Sequence, residues 1–571
     1  MKLKKFIEFT GIWIYPLLVS VEYYAAVSLQ EWLKLPAWIY IIWVFVIPAF
    51  IPIIITNTNY RKWKKQGITE FGLPQMLDLQ RVDEYHTEAY LNAAYPTIDK
   101  QLISYKPKDL VLGYNDEKYV CVPVLSDGLN GFICGGVGSG KSTMMIAWLL
   151  SMIYRVQIFE QDMEHIGRIW NFFVVDIKGE IYRRLTHMDG RYRANKHMRI
   201  HVIDPSNRDS FGWDALYLVH GKNVSETERL KAVNDITEAL IPELTTVGEN
   251  GNAAYFQNNA KKMLSGILYY YIKNYPDMSF TDIIKKITRT NLAVHLAEIV
   301  KDAEEKFDGI TLDKLKGFVG KEDNNSIQDV ESTMNQMLDV FSYPHIEYLL
   351  NNNPNKTSPA ALDDGVTCID LAFEEAMLAI YQPIFRLITM QILRHCEYVF
   401  KETDDRHTIL IIDEAFRVGK ISGLENSMAT MRNRHTSIML LFQDISQMKA
   451  LYGSISDSIL NICDLKIFLS GAGDKETAEY VARMAGEYTA ESRNYKKGQL
   501  IIPQSDVNYH EDRRAVVNGK SFMTLREKNE MVLFYMGQYF RFKKIRYWED
   551  NILGPIYEAI HEEEKKEITL Q

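Results

Sequence analysis

Apolar residues fall in three patterns along the chain, and each predicts a different element. The first is uncharged and long. From Leu35 to Tyr60 there is no charged side chain, and Ala37–Ile55 is almost wholly apolar. As a helix that run is long enough to cross ~30 Å of hydrocarbon. A weaker run, Phe9–Leu29, is interrupted by Glu22, which at a bilayer centre would cost about 2.5–3.5 kcal/mol. Lys2, Lys4 and Lys5 precede the first run, and Arg61, Lys62, Lys64 and Lys65 follow the second. By the positive-inside tendency both termini are expected in the cytoplasm. Residues 1–65 thus read as a two-helix transmembrane hairpin, and the protein as a multi-pass protein of the cell (inner or plasma) membrane. A signal peptide is the rival reading; the second run that follows at once and the missing A-x-A site argue against it.

The second pattern is short apolar runs, several of which end in an aspartate. Tyr119–Val124, Gly131–Cys134, Phe172–Asp176, Ile200–Asp204, Val366–Asp370, Thr408–Asp413, Ser437–Phe442 and Leu465–Leu469 all have strand character. They alternate with helical stretches such as Thr143–Ile153, which predicts a parallel α/β sheet with its ligand at the strand C-terminal ends. The third pattern occupies residues 225–350, where apolar positions recur at helical spacing, as in Ala260, Met263, Leu264, Ile267 and Leu268. A polar stretch, Asn351–Pro359, follows. The expected organisation is a nucleotide-binding domain in two parts, 66–224 and 351–571, the second carrying the C-terminal tail, with an all-α domain inserted at 225–350.

Composition narrows the partners. The 571 residues are 47% hydrophobic and 24% charged, with a net charge of −9, so any polynucleotide contact must be local. Five cysteines without C-x-x-C spacing read as reduced thiols rather than metal ligands.

The most specific chemistry is the run Gly135, Gly136, Val137, Gly138, Ser139, Gly140, Lys141, Ser142, Thr143, which fits G-x-x-x-x-G-K-[ST]. Backbone N–H groups of such a loop curl around a phosphate, the lysine reaches the β/γ-phosphates, and the serine hydroxyl ligates Mg²⁺. ATP and Mg²⁺ are the expected cofactors. Hydrolysis also needs a strand-end carboxylate for the metal and a group that orients water. Asp176, Asp204, Asp370 and Asp413 all end strand-like runs, but only Asp413 is followed by a glutamate. Asp413 is therefore read as the Mg²⁺ residue alongside Ser142, and Glu414 as the group that polarises water; a helix-capping Asp-Glu is the plainer alternative. Gln443 follows the run expected beside that strand, the place where a glutamine of RecA-like motors contacts the γ-phosphate or water; a solvent-exposed turn glutamine is the plainer alternative. Arg432 and Arg434 precede the same run, and either could serve a neighbouring subunit.

At these residues the chain resembles the type IV coupling proteins, the TraG/TraD-like ATPases of conjugation and type IV secretion. The resemblance runs through the membrane hairpin, the phosphate loop, Val174–Glu180, Tyr255–Ala260, Ile411–Phe416 and Leu424–Arg432 into Gln443–Gly453. It continues through Ala472–Tyr480, Gly486–Thr489 and Asp512–Arg514. It implies a RecA-like, homo-hexameric motor that couples ATP hydrolysis to passage of single-stranded DNA, with its relaxase or relaxosome, into type IV secretion channel proteins at the membrane. It also implies that Arg432, ahead of Arg434, is an arginine finger acting in trans. Two features depart from many members: a very short loop between the expected spans, and a short tail, His561–Gln571, without an extended acidic segment. A receptor for protein effectors and an FtsK/HerA-like DNA translocase are the competing readings.

Overall fold

The computed structural model describes residues 110–115, 118–122, 128–158, 170–177, 179, 181, 198–219, 224–242, 251–320, 325–363, 366–373, 375–400, 406–469, 475–494, 508–517, 522, 529–535, 537–555 and 557–558. Its main unit contains Met76–Gly486 and Ala515–Gln571. The chain order there begins with β1 (Leu110–Asn115), β2 (Lys118–Val122), β3 (Gly131–Cys134), α1 (Lys141–Ile158), β4 (Trp170–Asp176), β5 (Met198–Ile203) and β6 (Gly212–Trp213). A helical stretch follows: α2 (Glu226–Leu240), α3 (Gly251–Asn274), α4 (Phe280–Thr288), α5 (Leu292–Glu305), α6 (Gly309–Leu315) and α7 (Asn325–Leu338). The order then resumes with β7 (Lys356–Thr357), β8 (Val366–Ala372), α8 (Leu378–Val399), β9 (His407–Ile412), α9 (Leu424–Met431), β10 (Thr436–Phe442), α10 (Ile445–Tyr452), α11 (Ser456–Ile462), β11 (Leu465–Leu469) and α12 (Lys475–Ala485). The other unit includes Glu487–Arg514 and is seen as a two-stranded ribbon of β12 (Glu487–Asn494) and β13 (Asn508–Ala515). The main unit closes with β14 (Glu530–Tyr535) and β15 (Gln538–Lys544).

One eleven-stranded sheet organises the unit, in the order β2-β1-β15-β14-β11-β3-β10-β9-β4-β8-β5. The strands from β11 to β5 in that order run parallel. Their sequences are near-continuous apolar runs because both faces are covered. Alternate side chains enter two separate cores. Phe132, Phe173, Leu410 and Leu440 face the layer that includes α2–α4 and α8–α12, whereas Ile133, Phe172, Ile411 and Met439 face α1. Phe132 lies at the centre of the first layer, with ring centroids 5.8 Å from Phe442 and 6.0 Å from Phe468. On the other face Trp148 of α1 is fully buried and its indole N–H donates to the Val111 carbonyl at 2.8 Å.

The helical stretch begins at a capping box that its own sequence specifies. Ser225 Oγ accepts from the Glu228 N–H at 3.2 Å, and Glu228 Oε2 accepts from the Ser225 N–H at 2.8 Å. Between 225 and 350 the described residues form helices and no strand. Their apolar faces share one continuous core with the sheet.

The C-terminal side of the sheet departs from the sequence expectation. Strands β14 and β15 extend it with antiparallel pairs, Leu465↔Tyr535 and Tyr535↔Gln538 among them, and β1 pairs antiparallel with β15. Asn351–Pro359, expected as loop alone, contains the short β7, which pairs with β6.

The expected multi-pass membrane localisation is overturned: among the described residues, no helix is long and apolar enough to cross a membrane. The long helix α8 is no exception, since its twenty-two residues include the buried polar side chains Arg386, Gln391 and His395 and pack into the core of the main unit. The runs Phe9–Leu29 and Leu35–Tyr60, and the hairpin read from them, lie outside the described residues.

Replacing Phe132 by Ala should leave a cavity between Phe442 and Phe468 and destabilise the main unit by about 3–5 kcal/mol. Equilibrium urea denaturation measures this, with the midpoint expected to fall at unchanged slope.

Candidate functional site

Strand β3 ends at Cys134, and the chain turns at once into the glycine-rich loop. The Gly135 N–H donates to the Phe442 carbonyl at 3.0 Å, which ties the loop to the end of β10. A Cβ on Gly135 would stand 2.4 Å from Ser139 Oγ and 2.8 Å from Leu469 Cβ, so only glycine fits there. The Ser139 N–H donates to the Gly136 carbonyl at 3.2 Å, and the Met144 N–H donates to Gly140 at 3.0 Å as α1 begins. Gly138 (φ 71°) and Gly140 (φ 102°) take left-handed conformations that leave loop N–H groups facing inward. Ser139 is buried, Val137 is exposed, and Ser142 and Thr143 are half-buried in the first turn of α1. This concave backbone at a helix N-terminus is an anion cradle.

Lys141 is 9% exposed and folds over the loop. Its ammonium donates to the Gly135 carbonyl and lies 3.6 Å from Glu414 Oε2. The sheet order explains that approach: β10 is the one strand between β3 and β9, so the end of β9 faces the loop across it. Asp413 follows β9, is buried, and its N–H donates to the Val175 carbonyl of β4 at 3.3 Å. Glu414 has φ 50° and ψ 51°, a left-handed conformation that is rare for a residue with a side chain and costs on the order of 1 kcal/mol or more. That backbone turn starts the helical turn Ala415–Val418 and leaves the Glu414 carboxylate beside Lys141.

Gln443 directly follows β10, at the same end of the sheet. Its N–H donates to Gln447 Oε1 at 3.2 Å, and its carbonyl accepts from Cys134 Sγ at 3.6 Å. Asp444 next to it caps α10 through the Gln447 N–H at 2.7 Å. Arg432 and Arg434 stand at the opposite end of β10. A seven-residue strand spans ~23 Å, too far for either to reach the Lys141 of its own chain. Arg432 is half-exposed and pairs with Asp464 at 2.9 Å, while Arg434 donates to the Phe400 carbonyl at 3.3 Å.

The remaining strand-end aspartates lie further along the sheet. Asp176 ends β4, Asp370 lies within β8, and Asp204 follows β5, the strands in the order β4-β8-β5. Asp370 is fully buried and neither carboxylate oxygen has a hydrogen-bond partner. Burial, with the charges of Asp176 and Asp204 behind it, pushes its pKa well above the ordinary carboxylate value. Burial thus favours the protonated acid at Asp370, a poor metal ligand. Among the described residues, no cluster of three or more His, Cys, Asp or Glu could hold a metal. A Mg²⁺ completed by phosphate oxygens and water needs no such cluster, and the Ser142 hydroxyl with the Asp413 carboxylate fits that hard, oxygen-only donor set.

Sequence reasoning missed the residues on the other side of the loop. Lys544, the last residue of β15, donates from Nζ to the Ser139 carbonyl at 2.8 Å. It belongs to a cavity of about 220 Å³ that Asn529, Arg546 and Trp548 also line, together with Gly138, Gly140 and Thr143. The available signal was the alternation Tyr539-Phe540-Arg541-Phe542-Lys543 after Gly537, a strand pattern beside a turn.

A parallel sheet with a phosphate loop at the strand C-termini, and one strand between the loop strand and the Asp-Glu strand, defines the RecA-like P-loop ATPase fold. Structures of the plasmid coupling protein TrwB share it. The complex with the non-hydrolysable GTP analogue GDPNP superposes with a TM-score of 0.56 at 15% identity, covering 77% of this chain and 90% of that one. The complex with ADP and Mg²⁺ gives 0.54 at 15% identity, covering 75% and 87%.

Residues 170–570 match the family described as Type IV secretory system Conjugative DNA transfer, and the chain belongs to it. The match begins downstream of the phosphate loop. Protein VirD4 of Rhizobium rhizogenes is 21% identical over 393 residues, 67% of this chain and 55% of that protein. Protein VirD4 of Agrobacterium fabrum (strain C58 / ATCC 33970) is 23% identical over 195 residues, 34% of this chain and 29% of that protein. The aligned chain thus spans about half, or less, of the length of these relatives.

Asp370→Asn should change the pH dependence of stability. A folded pKa above the unfolded one makes the stabilisation complete below about pH 4, and it declines as pH rises from there toward the folded value. The neutral amide removes that decline. Thermal melts across pH 5–9 should show the variant gaining Tm relative to wild type as pH rises.

Proposed function

We propose that this chain is the ATP-driven motor of a type IV secretion or conjugation system, coupling ATP hydrolysis to the passage of single-stranded DNA with its attached relaxase. Membership of the conjugative DNA transfer family supports the system. The observation that carries the chemistry is the approach of Glu414 to Lys141, 3.6 Å apart across β10 although 273 positions separate them in sequence (414 − 141).

The phosphate loop from Gly135 to Thr143 holds the phosphates, with Lys141 on the β/γ pair. Ser142 and Asp413 would hold Mg²⁺, which would neutralise charge on the phosphate oxygens. TrwB structures with ADP and Mg²⁺ and with a GTP analogue support a nucleotide and Mg²⁺ at this fold position. Glu414 takes the proton of the attacking water, and its strained backbone holds the carboxylate toward the loop. Gln443, at the end of the intervening strand, orients the water or reads the γ-phosphate.

Arg432 cannot reach its own site, so its role requires a neighbour: in a homo-hexameric ring its guanidinium enters the adjacent site after releasing Asp464. The helices of 225–350 form a substrate-facing domain between the two parts of the nucleotide-binding domain, 66–224 and 351–571. Channel proteins of the secretion system and the relaxosome are the partners.

ATP hydrolysis by the purified chain with and without single-stranded DNA tests this reading. Stimulation by single-stranded DNA is the expected result; equal rates with and without it, alongside capture of secreted proteins, would move the cargo from DNA to protein. Glu414→Gln should retain ATP binding while kcat falls about 100-fold or more. Arg432→Ala should lose hydrolysis, and mixing it with Glu414→Gln should restore part of it, because some interfaces then pair an intact arginine with an intact glutamate. No recovery on mixing would remove the trans role.

A further inference from the structure

Helix α9 runs without a break into Arg432, so whatever sets the roll of α9 sets where that guanidinium points. The helix is held on two sides. Toward the sheet, the Asn130 carboxamide just before β3 donates to the Met428 carbonyl at 2.8 Å. The turn at Gly128 stands so near Arg432 that a Cβ there would lie 2.3 Å from its carbonyl oxygen. Both contacts are to backbone oxygens close to the helix axis. They anchor the end of α9 and resist its rolling only weakly.

The second hold is a side chain, off the axis. Ser427 is buried, and its hydroxyl donates to Glu397 Oε1 of α8 at 2.6 Å. The other oxygen of Glu397 accepts from Arg394 Nη1 at 2.6 Å, one turn earlier on the same helix. The rest of the Arg394 fork faces α2, with Nη2 3.4 Å from Glu238 and Nε 3.6 Å from Asp235. The Tyr398 hydroxyl donates to Asp235 Oδ1 at 3.0 Å. Arg394 thus joins three helices: α2, which opens the helical stretch, α8, which follows that stretch, and α9, which carries Arg432. Stability is a poor reason for such a cluster. Asp235, Glu238 and Glu397 all draw on the Arg394 guanidinium, and among the described residues Asp235 Oδ2 is buried with no hydrogen-bond partner. Apolar side chains of the same volume would stabilise the fold as well or better. A planar fork between carboxylates supplies a fixed geometry instead.

We infer that Arg394, acting through Glu397 and Ser427, is a positioning residue for the arginine finger: it ties the roll of α9, and with it Arg432, to the first helix of the helical stretch. This rests on the role of Arg432 in a neighbouring subunit's site. The relay of one subunit therefore controls hydrolysis in the next, not in its own.

Ser427→Ala in the full chain tests this, with thermal melts to verify folding. The variant's own phosphate loop is untouched, so KM for ATP should match wild type. Its kcat should fall about tenfold or more, because a misplacement of about 1 Å can cost on the order of 100-fold. Mixed rings show in which subunit the defect lies. With Glu414→Gln, which keeps its finger and lacks its base, Ser427→Ala should recover part of the lost activity. With Arg432→Ala it should recover none, because neither chain then supplies a well-placed finger. Arg394→Lys is the second variant and should give the same pattern, since a point charge cannot span α2 and Glu397 at once. Unchanged kcat in both variants, or recovery with both partners or with neither, overturns the relay. If Arg432→Ala mixed with Glu414→Gln also stays inactive, the trans role falls and the relay falls with it.

Discussion

The hydrogen bond from the Gly135 N–H to the Phe442 carbonyl marks the constraint on which the site depends. It exists because β3 is inserted between β10 and β11, strands that come some three hundred residues later in the chain. Insertion fixes the depth of the loop, and it leaves one strand between the loop and the Asp-Glu pair. Slipping β3 by one residue would exchange its two faces, sending Phe132 from the aromatic cluster to the α1 side. Packing around Phe132 and placement of Lys141 are thus one problem. The apolar contacts on both faces stabilise a register that the loop chemistry alone could not hold.

The polar residues at this end of the sheet are held under tension in different ways. Glu414 is in a left-handed backbone conformation, and its carboxylate is opposed by the Lys141 ammonium. Asp370 is buried with no hydrogen-bond partner for its carboxyl oxygens, and burial raises its pKa. The contrast follows from surroundings. Glu414 sits at a strand end with a cation in reach, whereas Asp370 sits within a strand flanked by two others, where ionisation would cost desolvation with no compensating charge. A strand-end aspartate in the sequence therefore does not define a metal ligand; its depth in the sheet decides.

Much of the parallel sheet was legible because its strands are buried on both faces. Gly131–Cys134 and Leu465–Leu469 read as apolar runs and are strands β3 and β11 with those limits. The antiparallel strands were less legible. β15 carries a weaker alternating pattern, β14 is an apolar run, Met531–Tyr535, that went unread, and β1 lay in a stretch where only β2 and β3 had been anticipated. Apolar length alone does not separate a span from core: the long helix α8 is apolar because it is core, as its buried Arg386, Gln391 and His395 show.

By itself the sequence determined the candidate phosphate cradle. The glycine spacing, Lys141 and Ser142 demand a phosphate cradle whatever surrounds them, because the geometry is local and made by consecutive residues. Only the tertiary structure decided what they meet. It brought Glu414 to 3.6 Å from Lys141, carried Arg432 to the far end of β10, and set Lys544 and Trp548 beside the loop. Those relations come from strand order, a long-range property set by burying apolar faces between distant segments, and no local spacing encodes it.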